Sequence, residues 1–254
     1  MRASRPHSFA VLDFLAPRVA SSPRHLQRTP RNIRCASSVT TSSPNVTEHE
    51  AQFSVSQDSA TPRRPLNAEQ KKFLDSALRV NHAGELAAVL IYLAQTPPIV
   101  KAHPKLRPLM KHMLEQEEGH FKTFNHLLAK HRIRPTMMYP VWKVAATALG
   151  WTTAVMGREA AMACTEAVET EIGSHYNEQV ATLLEWEKIL RESGEELAPD
   201  MKALLQELRR IRDEELEHLD HAVENDAKEA KPYELLTNVI RGGCRAAIWV
   251  SEKV

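Results

Sequence analysis

The chain has 254 residues, room for one or two domains and a sizeable core, and Lys+Arg 33 against Asp+Glu 32 leave it nearly neutral. That balance gives no global field for binding nucleic acid or acidic substrates. Cys35, Cys164 and Cys244 lie far apart and exclude a disulfide scaffold, so a reducing compartment is the default. Few glycines and aromatics, with many Ala, Leu, Glu and Lys, indicate a helical protein, and the absence of any long uninterrupted apolar run gives no support to a membrane-spanning helix.

Residues 1–47 differ from the rest. Arg2, Arg5, Arg18, Arg24, Arg28, Arg31 and Arg34 are spread through a Ser-, Thr- and Pro-rich stretch without lysine and with Asp13 as its single acid. This is the composition of a mitochondrial transit peptide, expected to be disordered. Residues 48–65 read as a linker closed by Pro62-Arg63-Arg64-Pro65, and the folded domain is expected over 66–254.

Asn67 is placed to cap a helix running to about Gln95, with Leu74, Leu78, Glu85, Ala88 and Tyr92 on one stripe and Pro97-Pro98 expected to end it. A second helix is expected from Pro104–Pro108 to about Lys130. Pro135 and Pro140 then punctuate a crossover, and Val141–Met156 is apolar except for Lys143 and some Thr. It suits either a buried segment or one lying in a membrane interface. Helical spacing resumes from Gly157 to Leu184, with Glu169 in line with Met162, Thr165, Ile172 and Tyr176. A turn at Ser193-Gly194 leads to a helix over roughly Pro199 to Ala227, and a last apolar helix, Tyr233 to Glu252, contains Arg241 and Arg245.

Two Glu-x-x-His runs, Glu117–His120 and Glu215–His218, interrupt apolar stripes, Met110, Met113, Phe124 in one helix and Leu204, Leu208, Ile211 in the other. Three residues is nearly one turn, so each pair shares a face and replaces two core positions. The bare motif is weak evidence. Its placement, its duplication and a core-facing Glu one helix upstream each time, Glu85 and Glu169, make it a constellation. Helix rise supports convergence: Glu85 lies about ten residues (roughly 15 Å) from its hairpin tip and Glu117 about twelve (roughly 18 Å), and the second hairpin agrees to within roughly 5 Å. Four carboxylates and two imidazoles suit two ions of a hard-to-borderline metal such as iron or manganese, where a structural zinc site would favour thiolates. Such ligand sets belong to ferritin-like bundles: an all-α four-helix bundle built from two helical hairpin repeats, with an apolar crossover segment and an extra C-terminal helix.

The strings Arg79-Val80-Asn81-His82-Ala83-Gly84-Glu85, Ala163-Cys164-Thr165 with Ala167-Val168-Glu169, His175-Tyr176-Asn177, Arg212-Asp213-Glu214-Glu215-Leu216-Glu217-His218 and Gly243-Cys244-Arg245 resemble, in order, the mitochondrial demethoxyubiquinone hydroxylases of coenzyme Q (ubiquinone) biosynthesis. The resemblance spans roughly Leu66 to Val254. It implies a di-iron monooxygenase that hydroxylates the ring of a polyprenyl demethoxybenzoquinol with O2 and reducing equivalents, NADH being a proposed donor. It also implies a peripheral place on the matrix side of the mitochondrial inner membrane and a lipid-binding partner protein of the coenzyme Q synthesis complex. The metal ligands carry over as Glu85, Glu117, His120, Glu169, Glu215 and His218, with Glu117 and Glu169 favoured as bridging carboxylates. His175 and Tyr176 match positions proposed to act in electron transfer, although a regular helix turns His175 about 120° away from Glu169. Arg245 matches a proposed cofactor or quinone-headgroup contact. Glu214, four residues before His218, is a plausible acceptor for that imidazole, and His82 is expected to make a supporting bond; His221 and Glu217 are read as solvated. The chain departs from the family's pattern by extra length at the two hairpin tips, where the site is not expected to be affected. Rival readings are another di-iron oxidase or radical-generating subunit, a ferritin-like iron store, and a non-catalytic scaffold for quinone synthesis. Membrane co-sedimentation tests the iron store, and metal content tests the scaffold.

Overall fold

A computed structural model describes residues 66–254; the Arg-rich segment and the linker lie outside the described residues. Six α-helices follow in order: α1 (Ala68–Ala102), α2 (Arg107–His131), α3 (Tyr139–Met156), α4 (Arg158–Glu192), α5 (Pro199–Glu224) and α6 (Tyr233–Lys253). Short 3-10 turns at Pro104–Leu106 and Ala227–Glu229 precede α2 and α6. Among the described residues there is no strand. The start of α1 is fixed by a reciprocal cap, in which Gln70 N donates to Asn67 Oδ1 (2.8 Å) and Asn67 N to Gln70 Oε1 (3.1 Å).

One expectation fails at the first hairpin. The helix does not stop at Gln95 but continues through Pro97 and Pro98 to Ala102. An interior proline costs about 3 kcal/mol or more. Here the turn beyond the prolines buries Ile99 and Val100 against Met110 and Met113, and full burial of such a side chain is worth about 1.5–3 kcal/mol. Tertiary packing therefore holds a turn that local rules would break.

Helices α1, α2, α4 and α5 form a four-helix bundle from two antiparallel hairpins, with α3 crossing over on α1 and α6 closing against α4 and α1. The architecture is the all-α, ferritin-like one anticipated. Each hairpin tip packs beside the open end of the other. Leu183, Leu197, Met201 and Leu204, from the second tip, pack with Leu74, Leu78, Phe124 and Leu128. Ile99, Val100 and Met110, from the first, pack with Ala161, Met162, Ala222 and Ala227. Two apolar clusters result, with a polar layer between them.

The crossover is bound tightly on one side and open on the other. A Cβ at Gly150 would lie 2.5 Å from Ile91 O and 2.8 Å from Ile91 Cα, so the α1 and α3 backbones touch and only glycine fits. Ala146, Thr153 and Ala154 share that buried face. Val144, Trp151, Val155 and Met156 point outward, each more than half exposed, as do Leu235, Val239 and Trp249 on α6. Of the two readings of 141–156, full burial is thus excluded. Helix α1 is long and apolar enough to cross a membrane, but most of its apolar window is buried within the bundle.

Candidate metal centre

Glu85 on α1, Glu117 and His120 on α2, Glu169 on α4, and Glu215 and His218 on α5 all point into one layer, each at most 1% exposed. Their donor atoms form two overlapping groups able to hold a metal ion: Glu85, Glu117, His120 and Glu215, and Glu117, Glu169, Glu215 and His218. Glu117 and Glu215 belong to both groups, whereas Glu85 and Glu169 each belong to one. On this geometry Glu117 and Glu215, rather than Glu117 and Glu169, are the carboxylates placed to serve both groups. The two hairpins are related by an approximate twofold that exchanges Glu85 with Glu169 and Glu117 with Glu215. Under that exchange one donor group becomes the other, and Glu117 and Glu215 swap places within the shared pair.

The layer is poorly satisfied by protein alone. Glu85 Oε2, both Glu117 oxygens, Glu169 Oε2, both Glu215 oxygens, His120 Nδ1 and His218 Nδ1 are buried without a hydrogen bond. His120 Nδ1 lies 3.1 Å from Glu215 Oε1 and 3.4 Å from Glu85 Oε2, while His218 Nδ1 lies 2.9 Å from Glu117 Oε1 and 3.4 Å from Glu215 Oε2. These are close contacts without hydrogen-bond geometry, the separations expected of donors arranged around a common cation. Four buried carboxylates carry a charge of about −4, which two divalent ions cancel with no need to protonate any of them. In the metal-free layer burial pushes the Glu85 and Glu169 carboxyls upward, with neighbouring Glu215 adding to the effect. Burial opposes protonation of His218, but Glu117 and Glu215 outweigh it and raise that imidazole to about 9. His120 is raised in the same way by Glu117, Glu215 and Glu85 against its burial. Donor set, burial and orphaned atoms all fit a pair of metal ions.

A ring of hydrogen bonds around the layer repeats the twofold. Tyr176 donates to Glu85, and Tyr92 donates to Glu169 at 3.3 Å. Each Tyr comes from the other hairpin, seven residues after that hairpin's own Glu. Gln95 and Gln179 lie ten residues after Glu85 and Glu169, so Glu-x6-Tyr-x2-Gln is a repeat. Both glutamines are buried: Gln179 pairs reciprocally with Asn81 (2.8 and 2.9 Å), and Gln95 donates to Thr153 Oγ1 at 3.2 Å and Ala161 O at 3.3 Å. This internal repeat was readable in the sequence and is the signal that would have assigned the tyrosines. The outward nitrogens of the imidazoles are held across the α2–α5 seam: His120 Nε2 lies 2.5 Å from Glu214 Oε2 and His218 Nε2 lies 2.9 Å from Gln116 Oε1. Since both partners present an acceptor oxygen, Nε2–H donates and Nδ1 is left for a metal. Glu214 therefore serves His120 and not His218, because the antiparallel partner helix, not its own next turn, faces its carboxylate.

The sequence matches the family described as ubiquinone biosynthesis protein COQ7 over residues 72–251, a span containing all six residues of the layer. The chain belongs to this family. It is 41% identical over 215 residues to the mitochondrial 5-demethoxyubiquinone hydroxylase of Saccharomyces cerevisiae, covering 84% of this chain and 92% of the yeast protein. It is 44% identical over 180 residues to the mitochondrial NADPH-dependent 3-demethoxyubiquinone 3-hydroxylase of Rattus norvegicus, covering 71% and 77%. With the 3-demethoxyubiquinol 3-hydroxylase of Rhodospirillum rubrum it shares 40% identity over 195 residues, covering 77% and 85%.

The remaining residues singled out from the COQ7-type strings fall outside the layer. His175 lies on a regular stretch of α4, as its spacing from Glu169 requires, with its buried Nε2 unpartnered and burial holding its pKa below the ordinary value. It lines two hollows. One is an apolar cavity of about 360 Å³ between α1, α3, α4 and α6, whose walls include Gly84, Trp142, Val168, Tyr176 and Ile240. The other is a polar hollow of about 470 Å³ with Glu171, Arg241 and Arg245. Arg245 Nε pairs with Glu171 Oε2 at 3.0 Å and Arg241 Nε with Glu171 Oε1 at 2.6 Å, so both guanidiniums are tied to α4. His82 bonds Asn125 (3.1 Å) and is absent from both metal groups. Cys164 is buried, its thiol pushed up to about 12 by burial; Cys244 is half-buried on the cavity wall.

Proposed function

We propose that this chain is a demethoxyubiquinone hydroxylase: a monooxygenase of ubiquinone biosynthesis that adds a hydroxyl to the ring of a polyprenyl demethoxybenzoquinol with O2. The observation that carries the reading is the juxtaposition of the six-residue layer with the apolar cavity. Tyr176 belongs to the cavity wall and also donates to Glu85, and Gly84 and Val168 on that wall directly precede Glu85 and Glu169.

Glu85, Glu117, His120, Glu169, Glu215 and His218 would hold two iron ions, Glu117 and Glu215 serving both. The bound iron supplies the activation of dioxygen that the protein's own groups cannot perform. The side chains do the rest. Burial raises the Tyr176 phenol well above its ordinary pKa, so it stays protonated and keeps one Glu85 oxygen occupied while the other is free. The apolar cavity excludes water and accepts the ring with the first part of its tail. Neutral His175, on the cavity wall with a free nitrogen, is placed to bond the quinol oxygen, and Arg245 at the polar hollow is proposed to meet the reductant or the headgroup. The donor class is a reduced nicotinamide: the resemblance pointed to NADH, and the rat relative's name specifies NADPH.

The relatives named as mitochondrial, together with the Arg-rich residues 1–47, support a mitochondrial location. We extend this to the matrix side of the inner membrane, with the exposed apolar faces of α3 and α6 resting on lipid or on a lipid-binding partner. An iron store has no use for such faces or for the cavity. The test is anaerobic reduction of the iron-loaded protein with a demethoxyquinone, admission of oxygen and mass spectrometry of the product. A gain of one oxygen, lost in Glu169→Ala with helical content unchanged, is the expected result. Turnover and bound metal both surviving that substitution would refute the reading.

A further inference from the structure

A third group of metal-binding side chains lies outside the buried layer. His112, Glu217 and His221 offer donor atoms that all lie within 4.8 Å of one another, with His112 and Glu217 exposed and His221 half-buried. Successive rungs of the α2–α5 seam pair His120 with Glu214 and Gln116 with His218. His112 and His221 form the next rung outward, their ring centroids 6.5 Å apart. Glu217, one turn before His221, completes the set from the same helix face, with its Oε1 3.6 Å from His221 Nε2. Among the described residues Glu217 pairs with His221 alone, and Glu224 approaches that ring's other nitrogen at 3.7 Å. No lysine or arginine therefore neutralises this carboxylate.

We infer that His112, Glu217 and His221 form a separate divalent-metal site, where an incoming ion is captured before it enters the buried layer. Two imidazoles and one carboxylate suit a borderline divalent first-row ion, which binds nitrogen at about 2.0–2.1 Å. The set is open to solvent, which leaves coordination positions for water and lets an ion leave again. It stands one turn beyond His218, on the seam formed by α2 and α5. The apolar cavity is walled by α1, α3, α4 and α6. Ions and quinone therefore reach the layer by different routes. The binding itself is independent of the hydroxylase reading, while the entry role rests on the proposal that the buried layer holds iron.

The test is titration of the metal-free full chain with cobalt(II), followed by its visible absorption, alongside the double variant His112→Ala/His221→Ala. His112 is exposed and His221 half-buried, and circular dichroism checks that the variant folds. Three equivalents are expected for the unaltered chain and two for the variant, together with several-fold slower filling of the buried layer by iron(II) in the variant. One equivalent falling to none would uphold the outer site and tell against the buried layer. Equal stoichiometry in the two proteins, or equal rates of iron uptake, would overturn the proposal.

Discussion

The hairpin α1–α2 and the hairpin α4–α5 carry the same chemistry in the same order, yet they do not treat their histidines alike. His120, from the first, is held by the Glu214 carboxylate, which Arg210 Nη1 also contacts at 2.8 Å through both oxygens. His218, from the second, is held by the neutral Gln116 amide. A carboxylate accepting the outer N–H makes an imidazole a stronger donor at its other nitrogen, and an amide does so much less. The ion beside Glu85 and His120 should therefore be held more strongly than the ion beside Glu169 and His218. The Glu85 side is also the one whose tyrosine, Tyr176, forms part of the cavity wall. Near-symmetric donors with unequal surroundings would hold two bound ions with unequal strength.

The most destructive way to break this comparison is through the shared residues. Glu117→Ala or Glu215→Ala should lose both ions and all hydroxylation, whereas Glu85→Ala or Glu169→Ala should retain about one ion, by elemental analysis, and still lose turnover. One ion retained in Glu117→Ala would mean that the shared pair is misassigned. The asymmetry itself is sharpened by exchange. With the outer site removed by His112→Ala/His221→Ala, Glu214→Gln should weaken the first of two stepwise manganese(II) binding events by about 10–100-fold, and Gln116→Glu should tighten the second, bringing the two affinities together. Unchanged step affinities would show that the outer partners do not set the difference.

Smaller effects test the surroundings. Gly150→Val should destabilise the fold by about 1–3 kcal/mol in denaturant titration, because α3 must lift off the Ile91 backbone. The bundle around the metal layer should survive it. The least effect is expected at His175. Burial lowers its pKa from the ordinary 6.5, so the folded chain binds a proton less readily than the unfolded chain. Its contribution to stability is complete above pH 6.5 and is lost as pH falls through the lowered value, because the unfolded state takes up the proton first. His175→Gln should flatten the acid side of the thermal stability profile. An identical acid slope in both proteins would contradict the burial of that ring.

The six residues of the layer are legible because burial constrains sequence. Glu85, Glu117, Glu169 and Glu215 occupy positions where the helical period calls for apolar residues, and such places are rarely given to charge without a partner. The second tier was less legible. The spacing of Tyr92 and Tyr176 from the two single glutamates is a repeat visible in the chain, but which carboxylate each phenol reaches depends on the hairpins crossing over one another. Glu214 was placed with His218 because intrahelical spacing is all that a linear sequence offers, and the facing helix supplied His120 instead. Sequence spacing does not single out His112 and leaves His221 and Glu217 as solvated side chains, since nothing in one helix reveals a rung shared with another.

The sequence by itself determined the helices, their amphipathic faces, the two hairpin repeats and the six residues that converge, because these follow from local geometry and the cost of burying charge. Tertiary structure alone decided the rest. It carried α1 through Pro97 and Pro98 because Ile99 and Val100 gain a core, and it made Glu117 and Glu215 the shared pair through the twofold between hairpins. It also turned one face of α3 inward against α1 and left the other bare. Each of these is set by which surfaces meet, a property of packing that a single segment does not encode.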